Sequence, residues 1–127
     1  MTEVAETLDP KFLATFTEPL LEMKATEIVV LDLRGIAEFA DYFVLCTGNS
    51  DIQVRAIADT LIERAKADDQ RPLNIEGYDQ RKWILIDFVD VVVHVMQPDE
   101  RKFYGLERLW GDAPFHEIED TQVQETT

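Results

Sequence analysis

The chain is poor in the residues that most often carry chemistry. It holds one cysteine, Cys46, and two histidines, His94 and His116, in 127 residues. One cysteine excludes an internal disulfide and any metal site built on several thiolates. Asp-x-Asp, the carboxylate pair with which nucleotidyltransferases hold Mg²⁺ and align a triphosphate, does not occur. No apolar stretch approaches the roughly 20 residues that a membrane-spanning helix needs. The opening residues, with Glu3, Glu6 and Asp9, lack the basic start and apolar run of a secretory signal. The expectation is a soluble cytoplasmic protein with no cofactor and no metal site.

Positive charge is scarce too. Twelve Lys and Arg stand against 26 Asp and Glu, a net charge of −14. Phosphate backbones repel such a chain, which excludes nucleic-acid binding through a broad basic patch. Basic protein surfaces attract it and speed encounter. The same charge also serves solubility alone.

What is there reads as one domain. A chain of this length buries roughly 65–70% of its unfolded surface, enough for a core. Asp9-Pro10 is a helix start, with Phe12, Leu13, Phe16, Leu20 and Met23 on one stripe. Pro19 predicts a kink there, or a break with Thr17 as a second cap. Residues 27–33 and 42–47 read as strands. Ser50 and Gln53 have capping-box spacing at the head of a helix over 50–68, whose inner face is Val54, Ile57, Ala58, Leu61 and Ala65. A short strand, 72–76, precedes a hairpin of 81–87 and 90–96.

Pro98 then opens a last helix, DERKFYGLERLW, with Asp99 and Glu100 at its positive end and Gly111 as its stop. Gly105 inside it costs about 1 kcal/mol relative to Ala. Residues 1–8 are expected to fray. Beyond Pro114 the tail FHEIEDTQVQETT, without Lys or Arg, is expected to be disordered. The order α-β-β-α-β-β-β-α gives a single α/β domain over 1–114, with helices packed on a mixed sheet and an acidic tail over 115–127.

The hairpin KWILIDFVDVVVHVM has two unlike faces. Ile84, Ile86, Val91, Val93 and Val95 point one way, which a core explains. Trp83, Leu85, Asp87, Asp90, Val92 and His94 point the other way. That face is too apolar for plain solvent exposure and too polar for a dry core. An aromatic with a polar rim is the composition of a binding surface. A covering helix whose contacts satisfy the polar atoms is the other reading. Trp83 is the expected cross-strand neighbour of His94. A two-residue turn at Phe88-Val89 requires positive φ, which valine resists, so the loop is wider or the turn is strained.

Signals for catalysis are weak. TGNSDIQ, residues 47–53, joins a strand to a helix N-terminus, where anions bind. With one glycine and no following Lys-Ser/Thr it is not a P-loop, and a tight turn with a helix cap accounts for it. Asp87 and Asp90 at the hairpin end, with Asp32 on a neighbouring strand, are candidate metal ligands or plain solvated turn residues. His94 has no Cys or Ser partner in register, and Cys46 reads as a small buried residue.

Several blocks occur together in one order: ADYFVLCTGNSDIQVRAIAD, then EG, then WILID before DVVVHVM, then ERKFYGLERLW. In these the chain resembles the ribosomal silencing factor family, RsfS or Iojap-like proteins, over roughly residues 10–113. The resemblance implies an α/β fold of nucleotidyltransferase-like topology without the catalytic carboxylates, and a cytoplasmic homodimer. It implies a partner in the large ribosomal subunit, a basic protein of the subunit interface (the fourteenth in the large-subunit naming). Bound there, the family blocks association with the small subunit and represses translation when nutrients are scarce.

Carried over by position, the partner-binding residues are Trp83, Asp87, Asp90 and His94, with Glu76, Arg101, Tyr104 and Glu107 beside them; catalytic residues are expected to be none. The alternative is a metal-dependent nucleotidyltransferase-like enzyme using Asp87, Asp90 and Asp32. Two positions depart from the family pattern: Val89, where glycine is usual, and Gly105, where a polar residue is usual.

Overall fold

The computed structural model describes residues 10–119. Helix α1, Pro10–Glu22, opens the described chain. Proline suits a helix's first position because its missing N–H would have no partner there. Of the two expected outcomes at Pro19, a kink or a break, the break does not occur: the helix runs through it. The amide of Met23 donates to the Pro19 carbonyl, and the Thr17 hydroxyl donates back to the Leu13 carbonyl instead of capping a second helix. Burial of Leu13, Phe16 and Leu20 against the sheet offsets the bond that Pro19 forfeits.

Strands β1 (Thr26–Asp32) and β2 (Tyr42–Thr47) follow, then helix α2, Asp51–Ala67. The Ser50 half of the predicted capping box forms, and the return bond from Gln53 reaches one residue before the cap. Ser50 Oγ accepts from the Gln53 amide at 3.1 Å, and Gln53 Oε1 accepts from the Asn49 amide at 2.7 Å. The TGNSDIQ segment is thus a turn and a cap. The next strands are β3 (Asn74–Glu76), β4 (Trp83–Asp87) and β5 (Val91–Met96).

The expected last helix is two. Helix α3, Pro98–Tyr104, stops at Gly105, and α4, Leu106–Leu109, starts after it. Gly105 has φ +53°, left-handed, and its amide closes on the Arg101 carbonyl at 3.2 Å. That is a helix-ending bond, open to glycine because it has no Cβ to clash.

The tail departs from expectation as well. Phe115–Ile118 forms strand β6 and pairs antiparallel with β1, Leu31 opposite Phe115 and Ile28 opposite Ile118. Without it, the outer backbone groups of β1 would have no protein partner. Residues 1–9 and 120–127, including the expected frayed start and the remainder of the tail, lie outside the described residues.

The six strands form one mixed sheet in the order β3-β4-β5-β2-β1-β6. Only β2 and β5 run parallel. On one face α1 and α2 lay Phe16, Leu20, Ile57 and Leu61 over Val30, Val44, Ile84, Ile86, Val93 and Val95. The opposite face buries Val29, Leu31, Phe43, Leu45, Val92 and Met96 under Leu33, Ala40, Leu106 and Ala113. The hairpin alternates between these two layers as its sequence predicts. Among the described residues no helix is long and apolar enough to cross a membrane.

Candidate partner-binding face

The mixed hairpin face is only partly roofed, by the segment around α4 and by Trp110. His94 sits in the middle of β5, opposite Leu45 on β2 and Leu85 on β4. Its direct cross-strand neighbour is therefore Leu85. Trp83, expected there, pairs with Met96 and lies diagonal to His94. A diagonal aromatic still reaches: the indole N–H of Trp83 donates to His94 Nδ1 at 3.1 Å. His94 is 3% exposed, while Trp83 is half-buried.

Rings continue on both sides. Tyr104, at the end of α3, lies 4.7 Å from the Trp83 ring, and Phe103 lies 4.9 Å from Tyr104. On the other side Phe43 approaches His94 at 4.6 Å and Trp110 at 6.0 Å, and Trp110 meets Phe39 at 5.8 Å. The row is buried at His94 and Phe43 and open at its ends, Phe103 being 77% and Phe39 60% exposed. Phe39, Phe43 and Trp110 were missed by the sequence reading. Phe43 is legible in hindsight, because strand alternation puts it on the face of Leu45. Phe39 and Trp110 stand in irregular segments and give no periodic signal.

Charged candidates surround the row in different ways. Arg101 on α3 is 7% exposed; its Nη1 donates to Thr47 Oγ1 at 2.9 Å, and its Nε and Nη2 donate to the two Glu107 oxygens at 3.2 and 2.7 Å. These bonds hold the Glu107 carboxyl below the usual carboxylate range. Arg101 thereby ties α3, α4 and β2 together. Glu76 is exposed on edge strand β3, opposite Leu85, and accepts from Asn74 Nδ2 at 2.7 Å. Asp87 Oδ1 accepts from the Val89 amide at 2.7 Å, inside the hairpin turn. The Asp90 side chain is exposed, and its carbonyl accepts from the Asp41 and Tyr42 amides. Trp83, His94 and Tyr104 thus come together, as do Arg101 and Glu107; the others stand along the rim.

Asp32, one carboxylate of the alternative reading, is held by Arg34. Burial alone would raise the Asp32 carboxyl, but hydrogen bonds from Arg34, at 2.9 and 2.8 Å, outweigh it and hold it below its usual range. Strands β5 and β2 stand between Asp32 on β1 and Asp87 on β4. Among the described residues no three His, Cys, Asp or Glu side chains gather as metal ligands. Burial pushes the Cys46 thiol up to about 12 and the His94 imidazole down to about 3, the latter helped by the nearby Arg101 charge. Neither is a nucleophile or base near neutral pH.

Fold and site define a small α/β domain, a six-stranded mixed sheet with two long helices on one face and a row of aromatic side chains on the other. The chain belongs to the ribosomal silencing factor family: the family described as "Ribosomal silencing factor during starvation" matches residues 6–127. It is similar to proteins named Ribosomal silencing factor RsfS in Bacillus subtilis (46% identical, covering 77% of this chain and 83% of that one) and Halalkalibacterium halodurans (49%, 77% and 84%). A solved crystal structure from Bacillus halodurans superposes with a TM-score of 0.76 at 40% identity, over 87% of this chain and all of that one. A mouse relative, 32% identical over 72% of this chain and 41% of its own length, is named Mitochondrial assembly of ribosomal large subunit protein 1.

Proposed function

We propose that the protein is a ribosome-associated translational repressor. It binds the large subunit through a basic ribosomal protein at the joining surface and sterically blocks association with the small subunit. The observation that carries this is the partly open aromatic row around Trp83, rimmed by carboxylates, on a chain of net charge −14. Aromatic anchors with a polar rim supply affinity, and the charge steers a basic partner. The names of the relatives support the ribosomal setting, and that of the mouse relative supports the large subunit.

No chemistry is required; a bound domain excludes the second subunit by volume. In this reading Trp83, Tyr104, Glu76, Asp87, Asp90 and Glu107 meet the partner, while His94 and Arg101 hold the surface in shape. Homodimerisation and a cytoplasmic setting belong to the same proposal. Exposed Ile36, Phe39, Leu109 and Phe115 offer apolar area for a second copy.

The test is cosedimentation of the purified protein with separated subunits, followed by a joining assay. Binding to the large subunit with loss of joined ribosomes is expected. Absence of binding at moderate salt, with subunits competent to join, overturns the proposal.

A further inference from the structure

We propose that His94 is a positioning residue whose Nδ1 takes up the indole N–H of Trp83, so that the indole meets its partner pre-oriented and as an apolar ring with no donor to spare. The inference rests on the functional reading above and deepens it at one residue pair. His94 is too buried to touch a docked protein. Trp83 is half-buried and carries one polar atom, a donor. That donor is satisfied internally, at 3.1 Å, by a residue two positions along the same face.

The choice of histidine has a cost that packing does not explain. An Nδ1 that accepts leaves the ring proton on Nε2, and Nε2 is buried with no hydrogen-bond partner among the described residues. A buried donor without a partner is destabilising. A leucine would fill the site without that penalty. What histidine adds is the acceptor at Nδ1, held neutral by its burial and by the positive charge of Arg101. Tyr104 packs on the Trp83 ring at 4.7 Å, so the indole is held by a hydrogen bond and by a ring contact. Fixing a side chain before binding removes the cost of ordering it later. It follows that the partner meets Trp83 with aliphatic or cationic groups and not with a hydrogen-bond acceptor.

The test compares the full chain with His94→Asn, whose amide oxygen can stand near the Nδ1 position, and His94→Leu, which keeps bulk without an acceptor. All three, the parent included, carry Trp110→Phe, so that a single indole resonance remains and any effect of that change is common to the comparison. In the parent, the Trp83 indole proton is expected to exchange slowly and to show a coupling across the hydrogen bond to the imidazole nitrogen. His94→Leu is expected to lose the slow exchange and to bind large subunits about three- to tenfold more weakly. His94→Asn is expected to regain most of both, whatever the two melting temperatures. His94→Gln, with its carbonyl displaced from the Nδ1 position, replaces the leucine variant if that one does not fold.

Fast exchange and no coupling in the parent overturn the inference. So does a folded His94→Leu, or its glutamine substitute, that binds like the parent, and so does an asparagine variant that restores neither readout. A parent chain that binds no large subunit overturns the functional reading itself, and this inference with it.

Discussion

Arg101 and Glu107 are joined at two points across the break between α3 and α4, the guanidinium buried and the carboxylate side chain 41% exposed. The pair does for the last segment what one continuous helix would have done: it fixes α4 relative to α3. Glu107→Gln leaves the buried cation with a weaker acceptor. Because half of the pair is wet, screening trims the loss, and about 1–2 kcal/mol of stability is expected to go. Urea denaturation of the two proteins measures it, and an unchanged midpoint would show that the clasp contributes nothing.

Val89 occupies a conformation that valine resists. Its φ is +79°, and the Asp90 amide donates to the Phe88 carbonyl across it at 3.1 Å, the bond of a three-residue γ-turn. Strain of this kind costs of order 1–3 kcal/mol. Val89→Gly is therefore expected to stabilise the fold by about 1 kcal/mol, the released strain exceeding the entropy that glycine adds to the unfolded chain. A lower midpoint in thermal or chemical unfolding would contradict this.

Gly77 admits no side chain. At φ +77°, a Cβ there would stand 2.0 Å from the backbone carbonyl oxygen of Trp83, the first residue of β4. A strand carbonyl cannot swing aside as a side chain can. Gly77→Ala is expected to destabilise by about 3 kcal/mol or more, and circular dichroism with denaturant titration tests it. The same change would shift Trp83 and weaken any binding that uses it.

Acidification should weaken the fold in a definite window. His94 is depressed in the folded state, to about 3, so the unfolded chain takes up the proton first. The contribution is complete above the unfolded value near 6.5 and is lost progressively as pH falls toward the folded value. Between pH 7.5 and pH 5 the loss is about 2 kcal/mol by linkage. The depressed carboxyls of Asp32 and Glu107 also lose stability on acidification, but below the ordinary carboxylate range. Unfolding free energies of the wild type and His94→Asn across this window separate the terms: the variant's curve should be flatter between pH 7.5 and pH 5.

Cys46 is fully buried with its thiol pushed up to about 12. It should not react with a thiol reagent at neutral pH in the folded protein, and should react stoichiometrically in denaturant. Rapid labelling of the native chain would contradict the burial.

Period-two alternation made the hairpin faces legible, because a strand's side chains must alternate whatever covers them. The α2 start was equally legible, since Ser50 and Gln53 satisfy backbone groups of their own turn. What escaped were features set elsewhere in the chain. Gly105 reads as a tolerated flaw in a helix, since nothing local says that its φ turns positive. β6 hides in a polar segment because only Phe115 and Ile118 are apolar, and β1, not its own composition, supplies its reason to form. At the candidate site, alternation gave the shared face of Trp83 and His94. The diagonal bond between them depends on strand register, and the aromatic row depends on two irregular segments converging.

The β1–β6 pairing has a consequence for how the molecule is made. Residues near position 30 wait for residues near position 116 before the sheet is complete. A nascent chain emerging from its ribosome can dock α1 and α2 early, but one flank of β1 stays unpaired until residues 115–118 have cleared the exit tunnel. Contacts so distant in sequence form late and slow the folding of mixed sheets. Premature termination before residue 115 would therefore release a chain that holds most of its apolar core and still presents an open strand to its neighbours.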